Sequence, residues 1–378
     1  MNLFGTGIDI QRGLTLAARV HSKYAPVFDR LNERDRAALA LYFLPHNSQK
    51  DLLEVTRPRV VKWYCPFADQ RVFPSGHRYC VNVYTGCDHA CDYCYASGYV
   101  AAGARCKSTF RAGLLSDLEA LEDFDVPPAP LHISNSTDPL QPLEQVHRHT
   151  LFALQSLAKR RHRFTTVTLL TKNPAALLDE PYLQALRELG RLAPDHPAAA
   201  TFEAGRLPPL RVECSLAFFR DEPRSLLDSA APSVQSRIQA IRSLRNEGVP
   251  VVVRIDPLFP RDPLPGGRRM ADFGLPDVQS LADIRELVQL ARDVGALHVV
   301  YSTAKITRPR AGRLSPLMQS MKAVYERLAS PSPLVFRGGS WRLPEAVARD
   351  QILKPLLDIC QELGVKAYAC KDNLIATP

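Results

Sequence analysis

The sequence lacks any run of about 18 apolar residues, which is the length that a membrane-spanning helix requires. It also lacks a charged-then-apolar leader, low-complexity segments and internal repeats, and it contains 31 prolines but only 19 glycines. These absences argue against a membrane span, secretion and a repeat architecture. We expect a cytoplasmic protein with no membrane partner, whose 378 residues, 46% of them hydrophobic, can bury a substantial core.

Acidic residues are in deficit, with 39 Asp and Glu against 48 Lys and Arg, which gives a formal net charge of +9. Such an excess is the electrostatic footprint expected of a protein that binds nucleic acid. Basic stretches at 242–245 and 305–313 could hold a phosphate backbone, because Lys and Arg contacts position such a ligand without reading its sequence. An arginine-rich proteome gives the same excess without any function, so both interpretations stay open.

The nine cysteines do not include two separated C-x2-C pairs, the arrangement by which proteins usually gather four zinc ligands. Instead, Cys87, Cys91 and Cys94 form one C-x3-C-x2-C group, which follows Gly86 after a strand-like run. Three thiolates can hold three irons of a [4Fe–4S] cluster and leave the fourth iron without a protein ligand. The spacing therefore predicts an iron–sulfur site with one iron open to chemistry.

Two other uses of these cysteines compete with the cluster. A zinc ion would take its fourth ligand from His89, Cys80 or a distant residue. A disulfide framework is disfavoured, because the chain is long, its cysteine count is odd and no secretory segment is seen. Chance clustering of buried cysteines is a further interpretation, but it would not explain the glycine turn or the flanking tyrosines.

From residue 78 onward, strand-like and helix-like stretches alternate. Strands are predicted at 78–84, 131–134, 165–171, 210–216, 249–255, 297–301 and 365–369, and helices at 143–157, 174–186, 234–246, 280–294, 315–328 and 350–363. Because βαβ units build parallel sheets, we predict an α/β fold, a partial TIM-like (β/α)6 barrel with its chemistry at the C-terminal ends of the strands. The core barrel would span 78–330, with an N-terminal helical extension at 1–77 and a C-terminal helix–strand appendage at 331–378.

Four motifs occur in a characteristic order along the chain. They are NxYxGCxHxCxYCYA at 82–96, STDPxQPxE at 136–144, TKNPxxLxD at 171–179 and GVPVVVRIDPLFP at 248–260. This order resembles one branch of the radical S-adenosylmethionine (SAM) superfamily, the spore photoproduct lyase-like or DNA repair photolyase-like family. The similarity covers roughly residues 78–300, and it implies a barrel of the radical SAM type.

The resemblance implies a set of site residues. Cys87, Cys91 and Cys94 would bind the [4Fe–4S] cluster, whose open iron the amino and carboxylate groups of SAM would chelate. The implied protein contacts to SAM are Tyr93 against the adenine, Ser136 near the amino group, Lys172 at the carboxylate and Ser215 by a hydrogen bond. A point positive charge at a strand end suits the role of Lys172. Arg254 or Asp256 would face the ribose or the substrate.

One departure from the family concerns its hydrogen-donating cysteine. In the loop after the second strand, where the family has this cysteine, the alignment places Asn135 or Ser136, and neither can donate a hydrogen atom as a thiol can. Cys106, Cys214 and Cys370 are other thiols near the predicted barrel mouth, although free cysteines are usually small buried hydrophobes. Repair of the spore photoproduct itself is therefore not expected.

We accordingly predict a lyase-like radical SAM enzyme that cleaves SAM to a 5′-deoxyadenosyl radical. Its substrate is unidentified, with DNA or another nucleic acid as the leading candidate, and a flavodoxin or ferredoxin would be its electron donor. Two alternatives stay open. One is a radical SAM enzyme that modifies tRNA, a peptide or a small metabolite, and the other is a zinc-stabilised nucleic-acid-binding protein without SAM chemistry.

Overall fold

The computed structural model describes residues 60–62, 78–100, 103–122, 129–160, 164–191, 208–310 and 312–370. Of the N-terminal extension predicted at 1–77, only residues 60–62 lie within these ranges. In the part of the chain that is described, no helix is both long and apolar enough to cross a membrane.

The strands build one large sheet and one small sheet. In chain order they are β1 (Val61–Lys62), β2 (Tyr79–Val81), β3 (Ala129–Ile133), β4 (Phe164–Thr171), β5 (Leu210–Ser215), β6 (Val251–Leu258), β7 (Val299–Thr303), β8 (Ile306–Thr307), β9 (Val335–Arg337), β10 (Ser340–Arg342) and β11 (Ala367–Ala369). The large sheet has the order β1-β2-β3-β4-β5-β6-β7-β11, and the small sheet has the order β8-β10-β9. In the large sheet only β1 is antiparallel to its neighbour, and all other neighbouring pairs are parallel.

Helices connect the parallel strands, as crossover connections require. They are α1 (Phe110–Glu122), α2 (Leu143–His147), α3 (His149–Lys159), α4 (Glu180–Gly190), α5 (Asp221–Leu227), α6 (Val234–Asn246), α7 (Leu281–Asp293), α8 (Pro316–Ala329), α9 (Glu345–Val347) and α10 (Lys354–Glu362). A π-helical stretch, Ala348–Leu353, joins α9 to α10. The α/β class and the mostly parallel sheet predicted from the sequence are confirmed.

The strand sequences explain why the sheet is buried. All six residues of β5 and the first five of β6 are buried, which is the pattern of parallel strands covered on both faces. Helices such as α4 bury one apolar face, with Leu183 and Leu186 directed into the core, and leave polar residues outside. At about 25 cal/mol per Å² of apolar surface, this burial is the main source of stability for the sheet.

Three details differ from the sequence-based prediction. The helix expected at 143–157 is divided at Arg148, whose φ of 47° is left-handed and ends α2. The helix expected from residue 174 begins as a 3₁₀ turn, Pro174–Leu178, and becomes α-helical only at Glu180. The small sheet was not predicted, because its strands have only two or three residues each and the three residues of β9 are all exposed, so they show no alternating hydrophobic pattern.

The C-terminal ends of the parallel strands meet at one edge of the sheet, and this edge positions the site. The loop that carries Cys87, Cys91 and Cys94, which we call the cysteine loop, follows β2. Lys172 follows β4, and Ser215 ends β5. The last strand, β11, pairs with β7 and brings Cys370 to the same edge. The domain boundaries at 77 and 330 stay a prediction, although β11 from beyond residue 330 is part of the large sheet.

Candidate functional site

The cysteine loop is closed at its base by a short antiparallel bridge. The backbone N–H of Thr85 donates to the carbonyl of Arg105 at 3.1 Å, and the N–H of Arg105 donates back at 2.7 Å. Gly86 enters the loop with a φ of 75°, which glycine adopts without the steric cost that a side chain would carry. Its carbonyl accepts hydrogen bonds from the Thr137 hydroxyl and, at 3.2 Å, from the Gln141 amide. The loop is therefore fastened to the segment that follows β3.

The three thiols of the loop lie near one another and are partly buried. Cys94 donates its backbone N–H to the carbonyl of Cys91 at 3.1 Å, and its thiol is within electrostatic range of both Cys87 and Cys91. Burial raises the pKa of the Cys87 thiol to about 12 and also raises the pKa values of Cys91 and Cys94. A metal must therefore displace protons from these thiols when it binds.

Backbone N–H groups point at two of the sulfurs. Those of His89 and Asp138 donate to Cys87, and those of Ala96 and Ser97 donate to Cys94, each favouring the thiolate. Hydrogen bonds of this kind to ligating sulfur are among the contacts by which proteins tune iron–sulfur clusters.

The thiol arrangement can be tested against two kinds of metal centre. Over the described ranges, no three His, Cys, Asp or Glu side chains converge as the ligands of a single metal ion do. In a [4Fe–4S] cluster each thiolate binds a different iron, so the thiols need only surround a common space and receive N–H donors. The three thiols and the N–H donors on Cys87 and Cys94 fit such a cluster.

His89 and Asp138 connect the cysteine loop to the neighbouring strand ends. The Nε2 of His89, which is buried, lies 3.1 Å from an oxygen of Asp138. Asp138 also accepts the Thr171 hydroxyl at 2.8 Å and the backbone N–H of Lys172 at 2.6 Å. Burial works to raise the pKa of Asp138, but His89 and the backbone donors outweigh it, and the pKa is lowered. The carboxylate therefore fixes the loop against the end of β4.

The ammonium of Lys172, at the end of β4, is surrounded by hydrogen-bond partners from Asp228, Tyr93 and Ser215, which we call the Lys172 cage. Its ammonium donates to Asp228 at 2.8 Å, to the Tyr93 hydroxyl at 2.7 Å and to Ser215 at 3.4 Å. Arg237 is a second cation beside Asp228, at 3.4 Å. Burial works to raise the pKa of Asp228, but Lys172 and Arg237 outweigh it and lower the pKa to about 2. The carboxylate is therefore charged and offsets two buried cations.

Tyr93 packs on the side of the cage that faces the core. Its ring meets Phe259 edge-on with centroids 5.4 Å apart and meets Phe218 at 6.2 Å. All three rings are buried. They form an apolar wall on this side of the cage.

A second charged group lies on β5, β6 and β7 and directly after β11. Arg254 donates to Glu213, to Asp256 and, at 2.9 Å, to the sulfur of Cys370. Asp256 also accepts the hydroxyl of Ser302. This group borders the same edge of the sheet as the cysteine loop, because Tyr95 is in electrostatic contact with both Cys94 and Cys370.

Neither a protein-family model nor a curated protein sequence matches the chain. Its structure, however, resembles solved structures of spore photoproduct lyase. One variant of that enzyme matches with a TM-score of 0.52 at 12% identity, over 83% of this chain and 80% of that chain. A variant with bound AdoMet and dinucleoside spore photoproduct matches with a TM-score of 0.51 at 12% identity, over 82% of this chain and 78% of that chain. The chain has the spore photoproduct lyase fold.

The fold that the motif resemblance implied is thus confirmed. A radical SAM methyltransferase from Sphaerobacter thermophilus also overlaps 93% of this chain and 92% of its own, at 15% identity and a TM-score of 0.42.

Within this fold, the structure brings most of the predicted site residues together. Tyr93, Lys172 and Ser215 share one cage next to the cysteine loop. Ser136 lies on another side of the loop, where its hydroxyl is 3.1 Å from the Tyr99 hydroxyl and its N–H donates to Asn82 at 3.2 Å. The roles of these four residues toward SAM stay predictions.

The three additional thiols named from the sequence occupy different places. Cys106 lies 3.1 Å from the Nε2 of His149, beyond the base of the cysteine loop. Cys214 is buried in β5 within the hydrophobic core. Cys370 contacts Arg254 at the C-terminal strand edge, so of the three it lies with the site.

Sequence reasoning missed Asp228 and Arg237, which complete the Lys172 cage. Asp228 follows α5, a seven-residue helix that was not predicted, and no motif marks it. Arg237 lies on α6, where its charge looks like that of a solvated helix face although the side chain is buried. The available signal was indirect: a lysine buried at a strand end requires a carboxylate partner.

Proposed function

We propose that this chain is a radical SAM enzyme, which binds a [4Fe–4S] cluster through Cys87, Cys91 and Cys94 and cleaves SAM reductively. The observation that carries the proposal is the placement of these three thiols, two of which receive backbone N–H donors, beside a buried lysine at the C-terminal edge of a parallel sheet. The spore photoproduct lyase fold supports it.

The chain's own residues would bind and orient SAM at this edge. Lys172 offers its ammonium to the SAM carboxylate, and Ser215 adds a hydroxyl next to it. The rings of Tyr93, Phe218 and Phe259 exclude water from that side. When bound, the cluster supplies one electron that splits the SAM sulfonium into methionine and a 5′-deoxyadenosyl radical. We also propose a flavodoxin or ferredoxin as the electron donor.

A nucleic acid is the substrate class that we propose, on the basis of a basic surface beside the cysteine loop. This surface comprises Arg308, Arg310, Arg313, Arg337 and Phe336. All five side chains are exposed, and across the described ranges none of the four arginines makes an ion pair with a carboxylate. Arg310 joins the surface to the loop, because its backbone N–H donates to the carbonyl of Ser97 at 2.9 Å. Unpaired arginines next to an exposed aromatic ring suit a phosphate backbone and a stacked base.

Reductive cleavage of SAM is the expected result when the protein is reconstituted without oxygen. With iron, sulfide, dithionite and SAM, the protein should form 5′-deoxyadenosine, measured by liquid chromatography and mass spectrometry, and it should show the brown colour of iron–sulfur protein. Metal analysis of anaerobically purified protein provides the decisive comparison. Colourless protein that carries zinc and forms no 5′-deoxyadenosine would contradict the proposal and favour a zinc-stabilised nucleic-acid-binding protein.

Salt-dependent binding of DNA is the expected result for the basic surface. Replacing Arg308 and Arg337 together with glutamine should weaken binding of a fluorescent oligonucleotide and reduce the slope of log K against log salt by about 1.5 to 2, because two phosphate contacts are lost. Arg285→Gln is the matched control, since Arg285 is an exposed arginine paired with Glu362 on α7 and α10. A slope that stays the same in the double variant would contradict this assignment of the surface.

A further inference from the structure

Asp228 lies between the cysteine loop and Lys172, and no motif assigns it a role. The backbone on either side of it is fixed to the loop: the N–H of Asp92 donates to the carbonyl of Leu227 at 2.9 Å, and Ala230 donates to His89 at 3.3 Å. The side chain of Asp228 is fully buried, and its backbone forms an isolated antiparallel bridge with Cys91. One residue therefore contacts both the cysteine loop and the lysine.

The bonding of this carboxylate is incomplete. Its Oδ2 atom forms ion pairs with both cations, with Lys172 at 2.8 Å and with Arg237 at 3.4 Å. Its Oδ1 atom is buried without a hydrogen-bond partner among the described residues, and so is the Nη2 atom of Arg237. An ion pair that served stability alone would be expected to satisfy both oxygens, because a buried polar atom without a hydrogen-bond partner destabilises the fold. Unsatisfied groups beside a candidate site are typical of residues kept for function.

The geometry of Lys172 shows what such a carboxylate can do. Asp228 and the Tyr93 hydroxyl hold the ammonium at 2.8 and 2.7 Å, whereas the third contact, to Ser215, is longer at 3.4 Å. The third donor is therefore the one that can turn to a ligand at little cost. With the other two contacts intact, the ammonium would keep its position while it binds a second carboxylate.

We infer that Asp228 is a positioning residue, which holds the Lys172 ammonium in place for the carboxylate of SAM and thereby sets the affinity for SAM. This inference rests on the proposed function. Asp228 itself need not touch SAM, because it acts through Lys172. Arg237 keeps the carboxylate charged and buried behind the lysine.

A double-mutant cycle on SAM binding tests this inference. On anaerobically reconstituted protein, with radiolabelled SAM and equilibrium dialysis, Asp228→Asn and Lys172→Met should each lower the affinity by about tenfold, since a charge-assisted hydrogen bond is lost. The double variant should bind no more weakly than Lys172→Met alone, because Asp228 acts through the lysine. A purely structural role would make the two losses additive, and this outcome would overturn the inference.

Acylation of Lys172 provides a second readout that needs neither cluster nor SAM. A small amine-reactive ester, followed by mass spectrometry of peptides, should label Lys172 several times faster in Asp228→Asn than in the wild-type protein. Asp358→Asn is the matched control, since Asp358 pairs with Lys354 on the surface of α10, and it should leave Lys172 labelling unchanged. Equal labelling of Lys172 in the Asp228 variant and the wild type would also overturn the inference.

The outcomes separate this inference from the proposed function. Wild-type protein that binds no SAM would contradict the proposed function. SAM binding that depends on Lys172 but not on Asp228 would overturn the inference alone, as would SAM binding that does not depend on Lys172. If circular dichroism shows that Asp228→Asn does not fold, Asp228→Glu takes its place, since it keeps the charge but displaces the carboxylate, and the same coupling with Lys172→Met is expected.

Discussion

Replacing Cys91 with alanine is expected to remove most of the iron from the reconstituted protein and to lower 5′-deoxyadenosine formation by at least about 100-fold. Loss of an outer-shell partner alone typically costs 10–100-fold, and a direct ligand contributes more. With two thiolates left, the cluster would have two irons without protein ligands instead of one. Iron and sulfide analysis should therefore fall from about four of each per chain to below about one. The same losses are expected for Cys87→Ala and Cys94→Ala.

Cys106→Ala is the control for this experiment. Cys106 is a partly buried thiol like the three in the loop, and it lies just beyond the bridge that closes the loop, but it contacts His149 instead. This variant should keep its iron content and its SAM cleavage. The cluster assignment would be wrong if Cys91→Ala kept a full iron complement, or if Cys106→Ala lost as much iron as Cys91→Ala.

The sequence was sufficient to predict the parallel strands of the large sheet and most of the longer helices in their order, because that order depends on local pattern. The helix predicted at 234–246 matches α6, Val234–Asn246, at both ends. The Ser233 hydroxyl accepts the N–H of Ser236 and starts this helix, and Gly248 follows its end with a φ of 77°. Where the hydrophobic pattern and the capping residues agree, the helix boundaries can be predicted from the sequence.

Other features of the fold depend on contacts between distant residues, and the local pattern does not contain them. α2 and α3 read as one helix, yet the chain turns at Arg148 because the Glu144 carboxylate accepts the N–H groups of Thr150 and Leu151. The hydroxyls of Tyr84 and Tyr182 also donate hydrogen bonds to this carboxylate, so that a shell of donors surrounds it. Such a shell is assembled only when the strands and helices have packed.

The candidate site likewise contains some residues that the local sequence pattern identifies and others that depend on contacts between distant residues. The cysteines and Lys172 belong to motifs whose spacing or strand-end position could be read along the chain. Asp228 lies 56 residues beyond Lys172 in sequence and reaches it only because the loop after α5 folds back onto Cys91. A pattern search over neighbouring residues could not have found it. The only indication in the sequence is that a buried Lys172 requires a carboxylate partner, which predicts the type of the residue but not its position.

Replacing Glu213 with glutamine is expected to lower the free energy of unfolding by about 3–5 kcal/mol at pH 7, because one partner of a buried ion pair is removed. Glu213 is fully buried, pairs with Arg254, and lies 2.9 Å from the guanidinium of Arg211. His132 is a weaker neighbour, 3.9 Å away. The glutamine would remove the negative charge that Arg211 and Arg254 share. Urea unfolding followed by circular dichroism measures the loss.

The pH dependence of this loss follows from the pKa of Glu213. Burial works to raise that pKa, but Arg254, Arg211 and His132 outweigh it and hold the pKa well below its usual value. A carboxylate with a lowered pKa contributes its full stability above the pKa of about 4.3 that it has in the unfolded chain, and this contribution declines as the pH falls below it. The difference between wild type and Glu213→Gln should therefore be largest at neutral pH and shrink on acidification below about pH 4. Glu188→Gln, at an exposed position on α4, should change stability by less than about 0.5 kcal/mol at every pH. A loss for Glu213→Gln that stays constant from neutral to acid pH would show that the arginines are held by something other than this carboxylate.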